Sequence, residues 1–390
     1  SEFIRVNGSG DPNRGQLNLS ADLRKLQTQL DQLFDMRGVV LGGQVNGKIK
    51  WHNSQDVVDT TAELNGNQLQ VATGNRMWID EPQFRLTAQA ASQRTPQRQL
   101  NTAKLQIEMP GGRLSAEVVG PITGPLTPSD WPIQITLSGG IPAWAGRVQR
   151  ALPGSTLANF ISSDEIQLGG TMNAQMMVDL TGNRIALRGM DAEIRDFQVL
   201  TTDDQWDESL LRLTGNITFD QDLQAIVSDQ LSLTSTRASL GLRNLQIGLP
   251  GSSVIDTGVA SFQADLQRIW EWVDPGATRR PVGLLAGQLQ IMTENVAQPQ
   301  EQTAFVLDSK VQDFRWQIAT ATATGADGGW QDVWHEPNFV IGLRAILQPR
   351  QEQLLLHPLR FSTSAVQCEL AGTIDQWNGP IPVSYTHLRA

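Results

Sequence analysis

The residues able to do chemistry are few and scattered. Four histidines, His52, His335, His357 and His387, lie far apart, and none takes a metal-ligand spacing such as H-x-x-x-H. His335-Glu336 stands where related segments carry Asp80 and Asp207, which predicts an exposed polar turn rather than a ligand set. The doublets Asp203-Asp204 and Asp207-Glu208 lack the glycine and spacing of an EF-hand loop and read as solvated loop. Gly8-Ser9-Gly10 lacks the third glycine of a dinucleotide fingerprint. The sequons at Asn18-Leu19-Ser20 and Asn216-Ile217-Thr218 carry no weight alone. Cys368 is the single cysteine, so no disulfide closes within the chain, and it reads as a small buried strand residue. No Ser-His-Asp or Cys-His arrangement can be drawn. These readings assign no catalytic residue, metal or cofactor, and the expectation is a non-enzymatic protein.

The tryptophans remain. Eleven of them against one tyrosine would suit platforms for sugars, because an indole face stacks on the apolar face of a pyranose. Three, however, recur at a fixed interval: Trp78, Trp206 and Trp334 are each 128 positions apart. Their neighbourhoods match, as Trp78-Ile79-Asp80-Glu81-Pro82-Gln83-Phe84, Trp206-Asp207-Glu208-Ser209-Leu210-Leu211 and Trp334-His335-Glu336-Pro337-Asn338-Phe339. Such regularity favours a structural plug at a strand start over ligand stacking, and it marks a repeat.

The elements around each tryptophan repeat as well. Upstream lie the runs Val39-Val40-Leu41-Gly42-Gly43, Ile166-Gln167-Leu168-Gly169-Gly170 and Gly283-Leu284-Leu285-Ala286-Gly287. Before the first and third come amphipathic segments, Ala21-Asp22-Leu23 continuing to Leu30 and Leu33, and Ala264-Asp265-Leu266 continuing to Val273. Pro142 to Pro153 fills the same slot in the middle copy, and Leu152-Pro153-Gly154 and Asp274-Pro275-Gly276 supply stops. The remainder alternates with period two and predicts strands, with Asn65-Gly66, Pro110-Gly111-Gly112 and Thr181-Gly182-Asn183 as turn sequences.

Alternation leaves one face of each strand apolar. On that face the first copy places Leu64, Leu69, Val71, Phe84, Leu86, Leu105 and Ile107. The second places Leu187, Leu211, Leu213, Ile217, Leu231 and Leu233, and the third Phe305, Leu307, Phe339, Ile341 and Leu343. Helices are too few to cover these faces, which must meet another sheet, close into a barrel, or line an open groove.

Composition excludes other classes. The net charge is −10, and five lysines and twenty-five arginines are dispersed along the chain, so neither a nucleic-acid footprint nor polybasic docking to anionic lipid is indicated. No run of eighteen apolar residues predicts a membrane-spanning helix, and no signal peptide is visible. Ser1-Glu2-Phe3-Ile4 reads as the interior of a strand, so an excised piece of a longer chain is expected. Residues 1–16 read as the end of a preceding repeat, 17–130 as repeat 1, 131–255 as repeat 2 and 256–380 as repeat 3. Residues 381–390, with the only tyrosine, read as a tail foreign to the pattern.

The amphipathic Ala21-Asp22-Leu23 and Ala264-Asp265-Leu266 segments, the Leu-Gly-Gly runs and the strand series ending in Leu370-Ala371-Gly372-Thr373-Ile374 together resemble the AsmA-like superfamily, with its TamB-type members. The resemblance spans roughly Arg14 to Trp377 and rests on architecture. It implies a mainly β fold: tandem repeats of about five antiparallel strands plus one short amphipathic helix, forming a curved continuous sheet, the β-groove. It further implies a bridge-like lipid-transfer protein of the cell envelope, periplasmic and inner-membrane anchored. Lipid acyl chains would be its cargo, with membrane contact through segments missing here and an outer-membrane partner protein. The rivals are tandem β-sandwiches that bind carbohydrate and a structural surface or adhesin module.

Overall fold

The computed structural model describes residues 3–32, 34, 36, 38–54, 56–74, 76–93, 99–123, 132–151, 166–181, 183–201, 205–248, 257–274, 277–293, 302–320, 329–348, 353–375 and 383–389. The proposed stops at Pro153-Gly154 and Pro275-Gly276, the doublet Asp203-Asp204, and Trp377 lie outside them.

The fold is mainly β, built from antiparallel strands in chain order with three short helices among the described residues. The first stretch holds β1 (Ile4–Gly10), β2 (Arg14–Asp22), α1 (Leu23–Leu30), β3 (Val39–Asn53), β4 (Val57–Thr73), β5 (Arg76–Gln93), β6 (Gln99–Met109), β7 (Gly112–Val118) and β8 (Ile122–Thr123). The second holds β9 (Ile133–Gly140), α2 (Ile141–Ala151), β10 (Gln167–Thr181), β11 (Arg184–Leu200), β12 (Gln205–Asp220), β13 (Ala225–Ser235) and β14 (Ala238–Gly248). The third holds β15 (Thr257–Asp265), α3 (Leu266–Val273), β16 (Arg279–Thr293), β17 (Thr303–Ala319), β18 (Trp330–Gln348), β19 (Gln353–Ser362), β20 (Gln367–Asp375) and β21 (Val383–Arg389). The second and third helices are thus each followed by five strands, β10–β14 and β16–β20. α1 is followed by β3–β7 and the two-residue β8, before β9 leads into α2. Val383–Arg389, set apart by sequence pattern, pairs antiparallel with β20.

Two compact units divide the chain: Ser1–Gly182 with Leu187–Leu210, and Asn183–Ala186 with Leu211–Ala390. In the first, β2 is flanked by β1 and β3, β3 to β7 follow as a meander, and β9 lies between β7 and β10. In the second, β12 to β21 pair in sequence order.

Helices form where a strand stops short of its neighbour. β2 pairs with β3 only as far as Asp22 opposite Gln44, which leaves the Val39–Gly43 stretch of β3 without that partner. α1 takes its place: the Gln27 side-chain amide donates to the Val39 carbonyl at 2.6 Å and accepts from the Leu41 N–H at 2.7 Å. Buried backbone polar groups need such partners. The pairing of β9 with β10 and of β15 with β16 ends likewise, at Gly140 opposite Thr171 and Asp265 opposite Leu284. Asp22 and Asp265 then cap α1 and α3, accepting from the backbone N–H of Lys25 and Arg268. In α2, Pro142 occupies the first turn, where its missing N–H costs nothing. α1 ends at Leu30 with Asp31 at its C-cap, and the expected Leu33 lies outside the described residues.

At each of these junctions sits a glycine with positive φ: Gly43 (99°), Gly170 (107°) and Gly283 (143°). A side chain on Gly43 would collide with the Gln68 carbonyl, and a Cβ on Gly170 would lie 2.8 Å from the Arg195 carbonyl. The following strand answers with a left-handed polar residue, at Gln68, Asp196 and Asp313, all with φ of 51–52°. The Leu-Gly-Gly runs therefore repeat because a sheet whose lead strand turns into a helix must bend there.

Asn65-Gly66 is not a turn. Both residues lie inside β4, and Gly66 is small because the ring of Phe84 occupies the space a Cβ would need. Pro110-Gly111-Gly112 does join two strands, β6 and β7.

Candidate functional site

Directly opposed residues of an antiparallel pair share a face, so register converts the period-two pattern into rows. In the first unit one row runs across nine strands: Val6, Leu19, Gly47, Leu64, Leu86, Ile107, Leu114, Leu137 and Ala174. The adjacent row runs Gly8, Leu17, Ile49, Ala62, Ala88, Leu105, Ala116, Ile135 and Met176. Neither contains a polar side chain. The row on the other face, one residue along, is Asn7, Asn18, Lys48, Glu63, Thr87, Gln106, Ser115, Thr136 and Gln175, and no member is apolar.

The second unit repeats the arrangement. Leu213, Leu233, Leu240, Phe262, Gly287, Ser309, Ile341, Phe361 and Cys368 form one row over β12 to β20. Gly215, Leu231, Leu242, Ala260, Leu289, Leu307 and Leu343 form the next. The interruption at Ser309 is neutralised locally, because its hydroxyl donates to the Ile341 carbonyl at 3.2 Å. Phe339 joins the face through edge-on contact with Phe361, 4.6 Å between centroids, and also meets Phe314 at 5.5 Å. Cys368 is a strand residue as expected, but half-buried.

Burial decides what these faces are. Inside a sealed sandwich, leucines at row centres would be almost wholly buried. Here Leu64, Leu86, Ile107, Leu114 and Leu137 are only half-buried, and so are Leu213, Leu240, Phe262 and Ile341. Leu233 is 41% exposed. Full burial on these faces is local, as at Val118, Ala174 and Val178 in the first unit and Val311 and Ala345 in the second. Among the described residues no second layer covers either face.

Register also sorts the sequence-based candidates. Leu64, Phe84, Leu86, Leu105 and Ile107 share the first unit's apolar face. Leu211, Leu213, Leu231, Leu233, Phe305, Leu307, Phe339, Ile341 and Leu343 share the second's. Leu69, Val71 and Ile217 lie beyond the register shifts at Gly42/Gln44 and Gly215/Thr218, past the stretch over which the rows are traced. Leu187, in β11, is half-buried.

The tryptophan motifs turn out differently. Trp78, Trp206 and Trp334 lie in the first few residues of β5, β12 and β18 and are 44%, 47% and 43% exposed, with Trp334 packing edge-on against Phe314 at 5.2 Å. The buried member of each motif is the glutamate: Glu81, Glu208 and Glu336 are 6%, 3% and 2% exposed. The expected polar turn at His335-Glu336 is thus a strand. His335 points out and bonds Asp313 at 2.8 Å, whereas Glu336 points in and accepts from the Ser364 hydroxyl at 2.8 Å. The second unit's helix α3 stands against its sheet through Trp270, whose ring meets Trp316 edge-on at 5.9 Å.

Three carboxyls of the second unit are held below their ordinary values. For Asp220 the chief cause is the Leu223 N–H, aided by Arg184. For Asp313 it is the Arg315 guanidinium, then His335. Burial works to raise Glu336, but hydrogen bonds from Ser364 and Asn338 outweigh it. A depressed folded-state pKa contributes stability above the unfolded value and loses it as pH falls through the folded one. The urea midpoint should therefore drop as pH falls below about 4, and Glu336→Gln should flatten that dependence. An unchanged pH profile in the variant would remove Glu336 from this account.

Among the described residues no three of His, Cys, Asp and Glu converge to hold a metal ion. No family model matches the chain, and neither a curated protein nor a solved structure matches it, so the functional reading rests on its own residues and geometry.

Proposed function

We propose that this chain is a segment of a bacterial-envelope lipid bridge of the AsmA- and TamB-like kind, in which the apolar sheet faces carry phospholipid acyl chains. The observation that supports this most is the pair of polar-free, nine-strand rows in the first unit, whose central leucines stay half-exposed. An acyl chain laid along such a face gains about 0.8 kcal/mol for each CH₂ it buries. The face offers no fixed polar partner along these rows, so binding is indifferent to headgroup and chains can slide. An uncovered apolar face of this length is also a liability in water unless something occupies it. In the intact protein we place the segment in the periplasm, with anchorage to the inner membrane and an outer-membrane partner supplied by other segments. Among the described residues no helix is long and apolar enough to cross a membrane.

Protein purified without detergent should retain phospholipid detectable by native mass spectrometry, and the delipidated protein should take up a fluorescent fatty acid. A lipid-free preparation that stays monomeric and ignores the fatty acid would end the proposal. The three half-exposed indoles at Trp78, Trp206 and Trp334 favour glycan stacking as a second reading. In that case soluble polysaccharide would be retained and Trp206→Ala would lose it.

A further inference from the structure

On the polar face of the first unit, register gathers cations that the linear sequence keeps apart. Arg14 faces His52 across β2 and β3, and His52 faces Asp59 on β4. Gln16 faces Lys50, which faces Thr61. Lys48, two residues before Lys50 on the same strand, shares that face. With Ser9, these residues line an open depression of ≈ 790 Å³, with Gly10, Gly15 and Trp51 among its other walls.

The charge pattern is unusual for this chain. Lys48 and Lys50 are two of only five lysines in a protein of net charge −10. The depression sets Arg14, Lys48 and Lys50, beside His52, against one carboxylate, Asp59. Lys48 and Lys50 sit two residues apart on one strand with Arg14 diagonal to Lys50 on the next, and like charges this near repel. Glu63 faces Lys48, but it is already engaged by Arg85 at 2.8 Å. A bound anion relieves the repulsion that remains.

We infer that this depression binds a phosphate ester. Lysines act on phosphate as point charges, Arg14 offers a planar fork of donors, and the Ser9 and Thr61 hydroxyls complete the set. The cavity is much larger than one phosphate, so the group arrives attached to a polar body, either a soluble ester or the headgroup of a lipid. Its charged residues lie on the face opposite the apolar rows, and the site does not depend on the acyl-chain reading.

Two arms test it on the full chain. Calorimetric titration with glycerol 3-phosphate examines the soluble ester. Flotation with phosphatidylcholine vesicles, with and without phosphatidic acid, examines the headgroup. Lys50→Gln, at an exposed position, should weaken binding about tenfold, and adding Lys48→Ala should weaken it further. Lys310→Ala, in the other unit, should leave it unchanged. Titration alone assigns a soluble ester, and flotation dependent on phosphatidic acid assigns a headgroup; either supports the site. Failure of the wild-type protein in both arms overturns it, as does binding that survives the double lysine variant with circular dichroism unchanged.

Discussion

Leu86→Asp is expected to abolish acyl-chain uptake by the first unit while leaving its sheet folded. Leu86 stands mid-row between Leu64 and Ile107, and an acyl chain following that row must pass over it. In the lipid-free state the position is half-exposed, so water can still reach a carboxylate there and the folding penalty is modest. An acyl chain laid over it would strip that water, at a cost of several kcal/mol for an unpaired charge. About 3 kcal/mol corresponds to about a hundredfold in affinity, so fatty-acid binding should fall below detection. Leu213→Asp should do the same in the second unit. Thr87→Asp supplies the control, because the neighbouring residue faces the polar side, in the row with Glu63 and Gln106. Equal uptake by Leu86→Asp and Thr87→Asp, with circular dichroism unchanged, would show that the apolar face is not the working surface.

Arg147→Ala should produce the largest loss of stability of any single surface-to-core contact in the first unit. Glu81 of β5 is buried, and the α2 guanidinium of Arg147 holds it with paired bonds of 2.8 and 3.0 Å. The same guanidinium donates to the Pro110 carbonyl at 2.9 Å and lies 5.2 Å from the Trp144 ring. Both partners are largely shielded, with side-chain exposures of 14% and 8%. Removing one partner of such a pair leaves a desolvated charge and costs about 3–5 kcal/mol. Arg150, 3.4 Å from the same carboxylate, offsets a part of this. Urea denaturation should show the loss, and Glu81→Leu combined with Arg147→Met should restore most of it, because the desolvated charge is then gone. A shift below about 0.5 kcal/mol for Arg147→Ala would mean that solvent screens the pair.

Legibility followed physical range. The face assignment of Leu64, Leu86, Leu105 and Ile107 depends only on alternation within single strands, which sequence displays directly. For Leu69, Val71 and Ile217 simple alternation from Leu64 or Leu213 does not give the face, because a bulge adds a residue to one strand of the pair and its position depends on the partner strand. Asn65-Gly66 has the composition of a turn, yet Phe84, eighteen positions beyond Gly66 and opposite it in register, explains the glycine. In each tryptophan motif the conspicuous residue is exposed and the modest glutamate is buried. Only a cross-element partner such as Arg147, sixty-six positions from Glu81, makes that burial tolerable.

The amino-acid sequence by itself determined the repeat, the β class, the helix positions and the apolarity of one strand face. These are properties of local period and spacing, and the tryptophans, the glycine runs and the alternation carry them. Tertiary structure alone decided that the apolar residues of successive strands align into rows, unbroken across the first unit, and that among the described residues no second layer covers them. It also decided that Arg14, Lys48, Lys50 and His52 share one depression. Register and burial are relations between strands, and no single strand encodes them.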